Sequence, residues 1–160
     1  MKAFTIIVTL LLGSFMGKAQ DTVSYIKYAP CMFYIDLPAG MEMSKMNESS
    51  PDYCDYEVKL KDGYVIMELH SLLNTRYDLI TLQEFYDAGL KSDELDITYK
   101  MLASNYFVIS GIDKKNGNIV YWKRVVGKFF ISDMDIEYDK SRKADIEPYI
   151  GHISKSFTGD

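Results

Sequence analysis

Histidine and cysteine are scarce in this sequence, which has only two of each among 160 residues. Zinc sites draw most of their ligands from these two residue types, and nucleophilic triads need a histidine base, so most sites of both kinds are excluded. Acidic residues outnumber basic ones by 23 to 18, and the net charge of −5 argues against a nucleic-acid surface. The sequence also lacks a glycine-rich phosphate loop, a repeat and a low-complexity tract. We therefore predict no catalytic residue, no cofactor and no metal site.

The sequence has no long apolar run, and its one marked apolar segment is short and lies near the N-terminus. Lys2 precedes the apolar residues 4–12, and Gly17 and Ala19 supply the small side chains of a cleavage site before Gln20. The run is too short for a transmembrane helix, and no Cys follows it directly to carry a lipid anchor. We predict a secretory signal peptide over residues 1–19 and a single domain over residues 20–160, exported to the periplasm or secreted, without a membrane span. An uncleaved N-terminal anchor is the alternative.

Alternating apolar and polar residues predict several β-strands in the mature chain. The first covers residues 32–38 and ends at a proline, and the stretch that follows, residues 39–52, is predicted as an irregular loop with some helical character. An Asp-Gly pair at residues 62–63 predicts a two-residue hairpin turn between the next two strands, with Leu60 opposite Val65. One face of this hairpin is then apolar, which indicates a buried side.

The second half of the chain predicts a meander of antiparallel strands. Residues 106–109 are apolar in succession, which is typical of a strand covered on both faces. The Asn-Gly pair at residues 116–117 is a strong hairpin signal and would set Val108 opposite Val125. The chain then returns over residues 129–138 as the last strand of the meander.

One helix is predicted before this meander and another after it. Thr81 can cap the first helix, with Glu84 as its capping-box partner. The second helix carries one apolar stripe that runs from Ile146 to Phe157 at helical spacing. Because proline is tolerated only in the first turn of a helix, we predict that the second helix begins close to Pro148.

Several of these segments resemble the PsbP-like superfamily, in its branch of small secreted bacterial proteins. They are YIDLP at residues 34–38, ITYK at 97–100, NYFVISG at 105–111 and PYIGHISKSF at 148–157. The resemblance covers about residues 31–157 and implies an α+β fold, in which an antiparallel sheet of about six strands is sandwiched by helices. It also implies binding or assembly without enzyme activity. The superfamily's roles at the photosynthetic oxygen-evolving complex and on the small GTPase Ran do not transfer, because the leader of this chain points outside the cytoplasm and no plastid context is present.

The two cysteines, Cys31 and Cys54, pose a question that the sequence leaves open. An exported protein meets an oxidising compartment, which favours a disulfide between them. The bond would tie the irregular loop to the sheet and stabilise the fold by roughly 3 kcal/mol. Both residues, however, stand at the starts of predicted strands. If those strands pair directly as antiparallel neighbours, the two thiols lie too far apart to bond.

Three carboxylates, Asp133, Asp135 and Glu137, alternate along one predicted strand. Such a row is a candidate for binding Ca²⁺ or for acid–base hydrolysis. Successive members lie about 7 Å apart along a strand, too far for one ion unless a loop folds over them. We therefore interpret the row as a solvated face with a local ion pair. The two histidines are interpreted as a polar residue at a strand end, His70, and a solvated helix residue, His152.

Aromatic and methionine side chains favour a binding role. The chain has 13 Tyr, whose rings pack while their hydroxyl groups donate hydrogen bonds. The predicted partner surface consists of Met41, Met43, Met46, Tyr53 and Tyr64; the alternative is that the loop carrying them folds onto the core. We predict a monomeric, non-enzymatic binding or accessory protein for an unidentified protein or small ligand. A carboxylate-dependent hydrolase and a structural subunit of an envelope complex are the alternatives.

Overall fold

The computed structural model describes residues 23–47, 53–74 and 81–159. The strands in these residues are β1 (Tyr25–Tyr28), β2 (Phe33–Pro38), β3 (Glu42–Lys45), β4 (Tyr53–Lys59), β5 (Val65–Leu73), β6 (Leu95–Leu102), β7 (Tyr106–Asp113), β8 (Ile119–Val126), β9 (Phe130–Tyr138) and β10 (Thr158–Gly159). The helices are α1 (Leu82–Leu90) and α2 (Lys143–Ser156), and a 3₁₀ turn (Lys140–Arg142) leads into α2. The predicted signal peptide, residues 1–19, lies outside the described residues.

Seven antiparallel strands form the main sheet, in the order β3-β4-β5-β9-β8-β7-β6. A second sheet has the order β1-β2-β10. The predicted α+β class is confirmed, since an antiparallel sheet lies between helices. The main sheet exceeds the six or so strands predicted because β3, inside the stretch predicted as an irregular loop, pairs with β4. Residues 48–52 of that stretch lie outside the described residues.

Side chains alternate between two faces of the main sheet, and cross-strand neighbours define each face. The front face carries, across β5, β9, β8 and β7, the side chains of Leu69, Met134, Lys123 and Val108. The back face carries, across the same strands, the side chains of His70, Asp133, Arg124 and Phe107. The front face is covered by α2 and the smaller sheet, and the back face by α1.

The larger core lies on the front face. Phe33, Ile35 and Leu37 of β2 are fully buried there, and Ile146 and Ile153 of α2 are almost fully buried beside them. Burying a side chain of this size is worth about 1.5–3 kcal/mol, so these contacts hold α2 and the smaller sheet on the main sheet. The apolar stripe predicted for the last helix is the stripe that faces this core.

The smaller core lies on the back face, under α1. Phe107 and Ile109 of β7 are fully buried in it. Trp122 of β8 meets the Phe107 ring edge to face, with 4.7 Å between ring centroids. Gly89 lets α1 approach this cluster, because a Cβ atom there would lie 2.6 Å from Ile109 Cδ1 and 2.7 Å from Trp122 Cζ3.

The two helices begin differently from each other. For α1 the predicted capping box is confirmed: Thr81 Oγ1 accepts from the Glu84 N–H, and the Glu84 carboxylate accepts from the Thr81 N–H. For α2 the predicted start is wrong, because the helix begins at Lys143 and Pro148 lies inside it. Burial of Ile146, on the N-terminal side of Pro148, offsets the one hydrogen bond that the proline removes.

In the first predicted hairpin, the pairing of residues is correct far from the turn and wrong beside it. The N–H of Leu60 donates to the carbonyl of Tyr64, so three residues, instead of two, form the turn. A β-bulge beside the turn then places Lys59, rather than Leu60, opposite Val65. Beyond the bulge the predicted pairs are present, because the buried apolar face fixes the register there.

The second predicted hairpin is displaced by two residues. Val108 pairs with Lys123 instead of Val125. The loop around residues 116–117 is longer than the two-residue turn that Asn-Gly favours. Because side chains alternate with a period of two, this displacement leaves each side chain on its predicted face.

A disulfide joins Cys31 to Cys54, whose Cα atoms lie 6.7 Å apart. The argument against the bond assumed that the strands following the two cysteines pair with each other. They do not, because β2 belongs to the smaller sheet and β4 to the main sheet. The bond therefore links the two sheets at the front core, in which Cys54 is fully buried.

Candidate functional site

Lys123 is a charged residue in the middle of the front face, where an apolar side chain is expected. It is only 5% exposed. Its ammonium group donates to two carbonyl oxygens at the C-terminal end of α2, that of Ser154 at 2.6 Å and that of Phe157 at 2.8 Å. The Tyr106 ring centroid lies 4.8 Å from the same nitrogen. These contacts use two of its three N–H groups, and no carboxylate of the described residues forms an ion pair with it.

Burial makes the ammonium group of Lys123 easier to deprotonate. Because the charged form is taken out of water, burial lowers the pKa of Lys123 to about 8. The group is therefore still a cation at pH 7. The carbonyl dipoles at the end of α2 offset part of the desolvation, but the described residues supply no full counter-charge. The arrangement can hold an anion beside Lys123.

An open groove adjoins Lys123 and lies between α2 and strands β6, β7 and β8. Its volume is about 520 Å³, within the range of small-molecule sites. This surface, which we call the α2 groove, is lined mainly by Tyr99, Met101, Tyr106, Tyr121, Gly151 and Lys155. Among the described residues, two lysines and no carboxylate line it, although the protein as a whole carries a net charge of −5.

The strand side of the α2 groove is aromatic and apolar. Tyr99 is 51% exposed and Met101 is 37% exposed, and the two side chains touch each other. Deeper in the groove, the Tyr121 hydroxyl and the Ser154 hydroxyl are hydrogen-bonded at 2.6 Å, which fastens α2 to β8. Burial raises the pKa of Tyr121, so its hydroxyl group stays protonated. The groove thus has a fixed inner end and an exposed apolar wall.

Gly151 keeps the helix side of the α2 groove open. A Cβ atom at this position would meet no other atom within 4 Å, so packing inside the protein does not require glycine here. Glycine in a helix interior is less favourable than alanine by about 1 kcal/mol. The protein carries this destabilising residue at a point where a larger side chain would enter the groove.

The carboxylate row lies on the back face, and Asp133 is not solvated as predicted. It is 6% exposed. Arg124, directly opposite on β8, donates from Nε and Nη2 to its two oxygens at 2.7 Å each, and Trp122 Nε1 donates at 3.0 Å. The Arg124 guanidinium also lies 4.3 Å from the Phe85 ring centroid. The predicted ion pair is therefore present, but α1 covers it.

Asp135 and Glu137 occupy two further environments. Glu137 accepts hydrogen bonds from the side-chain amides of Asn116 at 2.9 Å and Asn118 at 2.7 Å. Asp135 has no hydrogen-bond donor among the described residues, and burial, together with the negative charge of Asp133, raises the pKa of Asp135 to about 7. In the part of the chain that the structure describes, no three Asp, Glu, His or Cys side chains are arranged to hold a metal ion.

The two histidines contact carboxylates outside the α2 groove. His70 Nδ1 lies 2.9 Å from Asp55 Oδ1 on the back face. Burial opposes a charge on this ring, but the hydrogen bond to Asp55 and the surrounding carboxylates together raise the pKa of His70. His152 stacks on Tyr25 with 3.7 Å between ring centroids and lies 3.6 Å from Asp36. Neither ring is placed beside a serine or cysteine nucleophile in these contacts.

The five residues predicted as a partner surface do not form one exposed patch. Met41 is wrong as a surface residue: it is 5% exposed and packs in the front core, because the turn after β2 folds the chain over that core. Met43 and Tyr64 are half-buried against the same core. Met46 and Tyr53 are largely exposed, at 40% and 43%.

Two residues in the sequence, Lys123 and Gly151, indicate the α2 groove, although neither was predicted as a site residue. Lys123 stands among apolar and aromatic neighbours in a central strand, which indicates either a buried charge or a polar site. Gly151 stands in the interior of a helix, beside its apolar stripe, and a glycine there calls for a packing or functional reason. Neither signal locates a groove, because its position depends on where α2 crosses the main sheet.

Comparison with known proteins identifies the fold. No protein-family model matches the sequence, and no curated protein matches it. The solution structure of cyanobacterial PsbP (CyanoP) from Synechocystis sp. PCC 6803 aligns with a TM-score of 0.53 and 14% sequence identity, over 93% of this chain and 99% of that one. The protein therefore has a PsbP-like fold, as the resemblance implied. Among the described residues, no helix is both long and apolar enough to cross a membrane.

Proposed function

We propose that this protein is an exported, non-enzymatic binding protein and that its ligand or partner occupies the α2 groove. The observation that carries the proposal is the combination of an exposed apolar wall, at Tyr99 and Met101, with a buried cation, Lys123, at the inner end. Binding sites are typically concave and mostly apolar, with a few fixed polar groups. A PsbP-like fold supports an accessory role of this kind.

Two features support export. Residues 1–19 have the pattern of a secretory signal peptide. The disulfide between Cys31 and Cys54 is of the kind that persists in oxidising compartments. Intact-mass measurement of the protein from its own host tests the proposal: we expect a mature chain that begins at Gln20, and a chain that retains Met1 contradicts export by this signal.

The binding proposal is tested by filling the groove. In Gly151→Leu the new side chain occupies the open space, whereas Ala144→Leu places a leucine at an exposed position of α2 that does not line the groove. Native mass spectrometry of the three proteins, purified from the host, compares what each one carries. We expect a bound species with the wild type and with Ala144→Leu, and its loss from Gly151→Leu.

The same experiment also tests the position of the binding site and the kind of partner that occupies it. The same species at the same occupancy on Gly151→Leu contradicts the proposed binding site. If the species lost from that variant is a protein of the envelope, the function is that of an accessory subunit; if it is a small molecule, the function is ligand binding. Trp122 fluorescence, which reports the back face, verifies that each variant is folded.

A carboxylate-dependent hydrolase is the competing function, because Asp135 has a pKa of about 7, in the range of a general acid. Glycoside hydrolysis requires two carboxylates that face the substrate. Here Asp133 is held by Arg124 and Trp122, so the geometry favours binding. A broad screen of glycosidase and esterase substrates separates the two functions: turnover that Asp135→Asn abolishes contradicts a non-enzymatic role.

A further inference from the structure

We propose that the α2 groove binds a small amphipathic carboxylate, with its apolar body on Tyr99 and Met101 and its anionic head near Lys123 and Lys155. This inference rests on the proposed function and adds the chemical class of the ligand to it. Three properties of the groove carry the inference: its charge, its exposed apolar wall and the open space in front of Gly151.

The charge of the groove is opposite to that of the whole protein. In the part of the chain that the structure describes, Lys123 and Lys155 line it without any carboxylate, while the whole sequence has five more acidic than basic residues. Lys123 keeps one N–H group without an acceptor among the described residues and has no ion-pair partner there. A buried cation of this kind is stabilised by a counter-charge, and an anionic head group supplies it. A cationic ligand would be repelled by both lysines.

The shape of the groove favours a small apolar body over a broad protein surface. Its volume of about 520 Å³ lies in the range of small-ligand sites, which are concave and mostly apolar. Tyr99 and Met101 leave ring and thioether surface exposed along one wall. On the opposite wall, Gly151 leaves room for ligand atoms, and Lys155 lies one helical turn further on the same side of α2.

The head group is tested with three probes that share one apolar chain: decanoate, decanol and decyltrimethylammonium. Isothermal titration of the wild type measures their dissociation constants below the concentration at which they form micelles. We expect decanoate to bind at least about tenfold more tightly than decanol, because a negatively charged head group forms stronger hydrogen bonds to an ammonium group than a hydroxyl group does. Equal affinity for decanoate and decanol, or tighter binding of the cation, overturns the assignment of a carboxylate.

The position of the head group is tested with matched lysine variants. Lys155→Gln removes a charge that lines the groove, whereas Lys143→Gln removes one at the other end of α2, where it pairs with Glu147. We expect decanoate affinity to fall about threefold to fivefold in Lys155→Gln and to stay unchanged in Lys143→Gln. Lys123→Met should lower it more than tenfold, provided that the near-ultraviolet spectrum of Trp122 remains that of the wild type. Equal affinities in Lys155→Gln and Lys143→Gln place the ligand elsewhere.

The two experiments together distinguish a wrong ligand class from a wrong binding site. If Gly151→Leu loses the species bound in the host while decanoate binds no better than decanol to the wild type, the groove is a binding site and the ligand is not a carboxylate. If Gly151→Leu keeps both the host species and full decanoate affinity, the groove is not the site.

Discussion

Two glycines inside helices, Gly89 of α1 and Gly151 of α2, have opposite surroundings. A Cβ atom on Gly89 would lie 2.7 Å or less from atoms of Ile109 and Trp122, whereas a Cβ atom on Gly151 would meet nothing within 4 Å. On the back face, glycine is therefore explained by packing within the protein. On the front face it is not, and an occupant from outside the chain is the explanation that we favour.

Two adjacent residues of β8, Lys123 and Arg124, differ in a similar way in their charged partners. Arg124 points to the back face, where both oxygens of Asp133 bind it. Lys123 points to the front face, where two carbonyl oxygens accept its hydrogen bonds and no carboxylate of the described residues pairs with it. At the Arg124–Asp133 pair the back face is thus closed in both packing and charge, whereas at Lys123 the front face leaves space beside a cation that no carboxylate of the described residues matches. The front face beside Lys123 can therefore accommodate a ligand, whereas the back face beside Arg124 cannot.

The largest expected effect comes from breaking the matched charge on the back face. Asp133→Asn keeps the size of the side chain but removes the carboxylate that Arg124 binds through two hydrogen bonds, and the two side chains are only 8% and 15% exposed. We expect the free energy of unfolding to fall by about 3–5 kcal/mol in urea denaturation. Glu137→Gln, an exposed carboxylate on the same strand, is the control and should change it by less than about 0.5 kcal/mol. Equal effects of the two variants would show that the pair does not hold this face.

The disulfide should rank next, and its loss should act on the front face. Cys31→Ala combined with Cys54→Ala unties the smaller sheet from the main sheet. We expect the free energy of unfolding to fall by about 3 kcal/mol, mainly because the unfolded chain gains freedom. Trp122 fluorescence in the native state should not change, because this side chain lies on the other face. Oxidised and reduced wild type of the same stability would contradict this prediction.

A pH effect should distinguish Asp135 from the other carboxylates of its strand. The pKa of Asp135 in the folded protein is about 7, against an ordinary value of 3.8, so between about pH 4 and pH 7 the folded state binds more protons than the unfolded state. Stability from this group is therefore lost as the pH rises through that window. His70, whose pKa is also raised, contributes in the same direction.

The variant that checks this effect is Asp135→Asn. Asp133, His70, Arg124 and Glu68 supply the charges that act on Asp135, and all of them are kept in the variant. We expect the melting temperature of Asp135→Asn to depend less on pH between 4 and 8 than that of the wild type, and to exceed it at pH 8. Glu137→Gln should follow the wild-type profile. If the melting temperatures of Asp135→Asn and the wild type depend on pH in the same way, the pKa of Asp135 is not raised in the folded protein.

A smaller effect is expected from adding a methyl group at Gly89, where α1 packs closely on the back face. Gly89→Ala gains about 1 kcal/mol in helix propensity but forces Trp122 or Ile109 to move, which costs about 1–3 kcal/mol. We expect a net loss of about 1 kcal/mol in the free energy of unfolding and a shift in the Trp122 emission maximum. A variant that is more stable than the wild type would show that α1 has room to spare, and the contrast between the two faces would disappear.

Features with local causes were predictable from the sequence. The capping box of Thr81 and Glu84 depends on two side chains three residues apart, and the apolar face of the first hairpin depends on simple alternation. By contrast, β3 was missed because it is an edge strand with mostly exposed residues, so its pairing is specified by β4 instead of by its own pattern. The turn lengths were missed because Asp-Gly and Asn-Gly favour tight turns without enforcing them.

The candidate site could not be predicted to the same extent. Tyr99, Lys123 and Gly151 lie on three different elements, and only the crossing of α2 over the main sheet brings them to one groove. The predicted partner surface failed at Met41 for a related reason, because a flexible apolar side chain in an irregular stretch serves a core as well as a surface. Local pattern identifies such residues but does not decide between the two roles.

Gly151→Leu measures whether the front face leaves space for a ligand from outside the chain. Because leucine is the better helix former by about 0.5–1 kcal/mol, we expect this variant to have a higher melting temperature than the wild type. Because the new side chain enters the α2 groove, we also expect decanoate to bind at least about tenfold more weakly than to the wild type and to Ala144→Leu. A higher melting temperature with unchanged decanoate affinity would show that the ligand does not occupy the α2 groove.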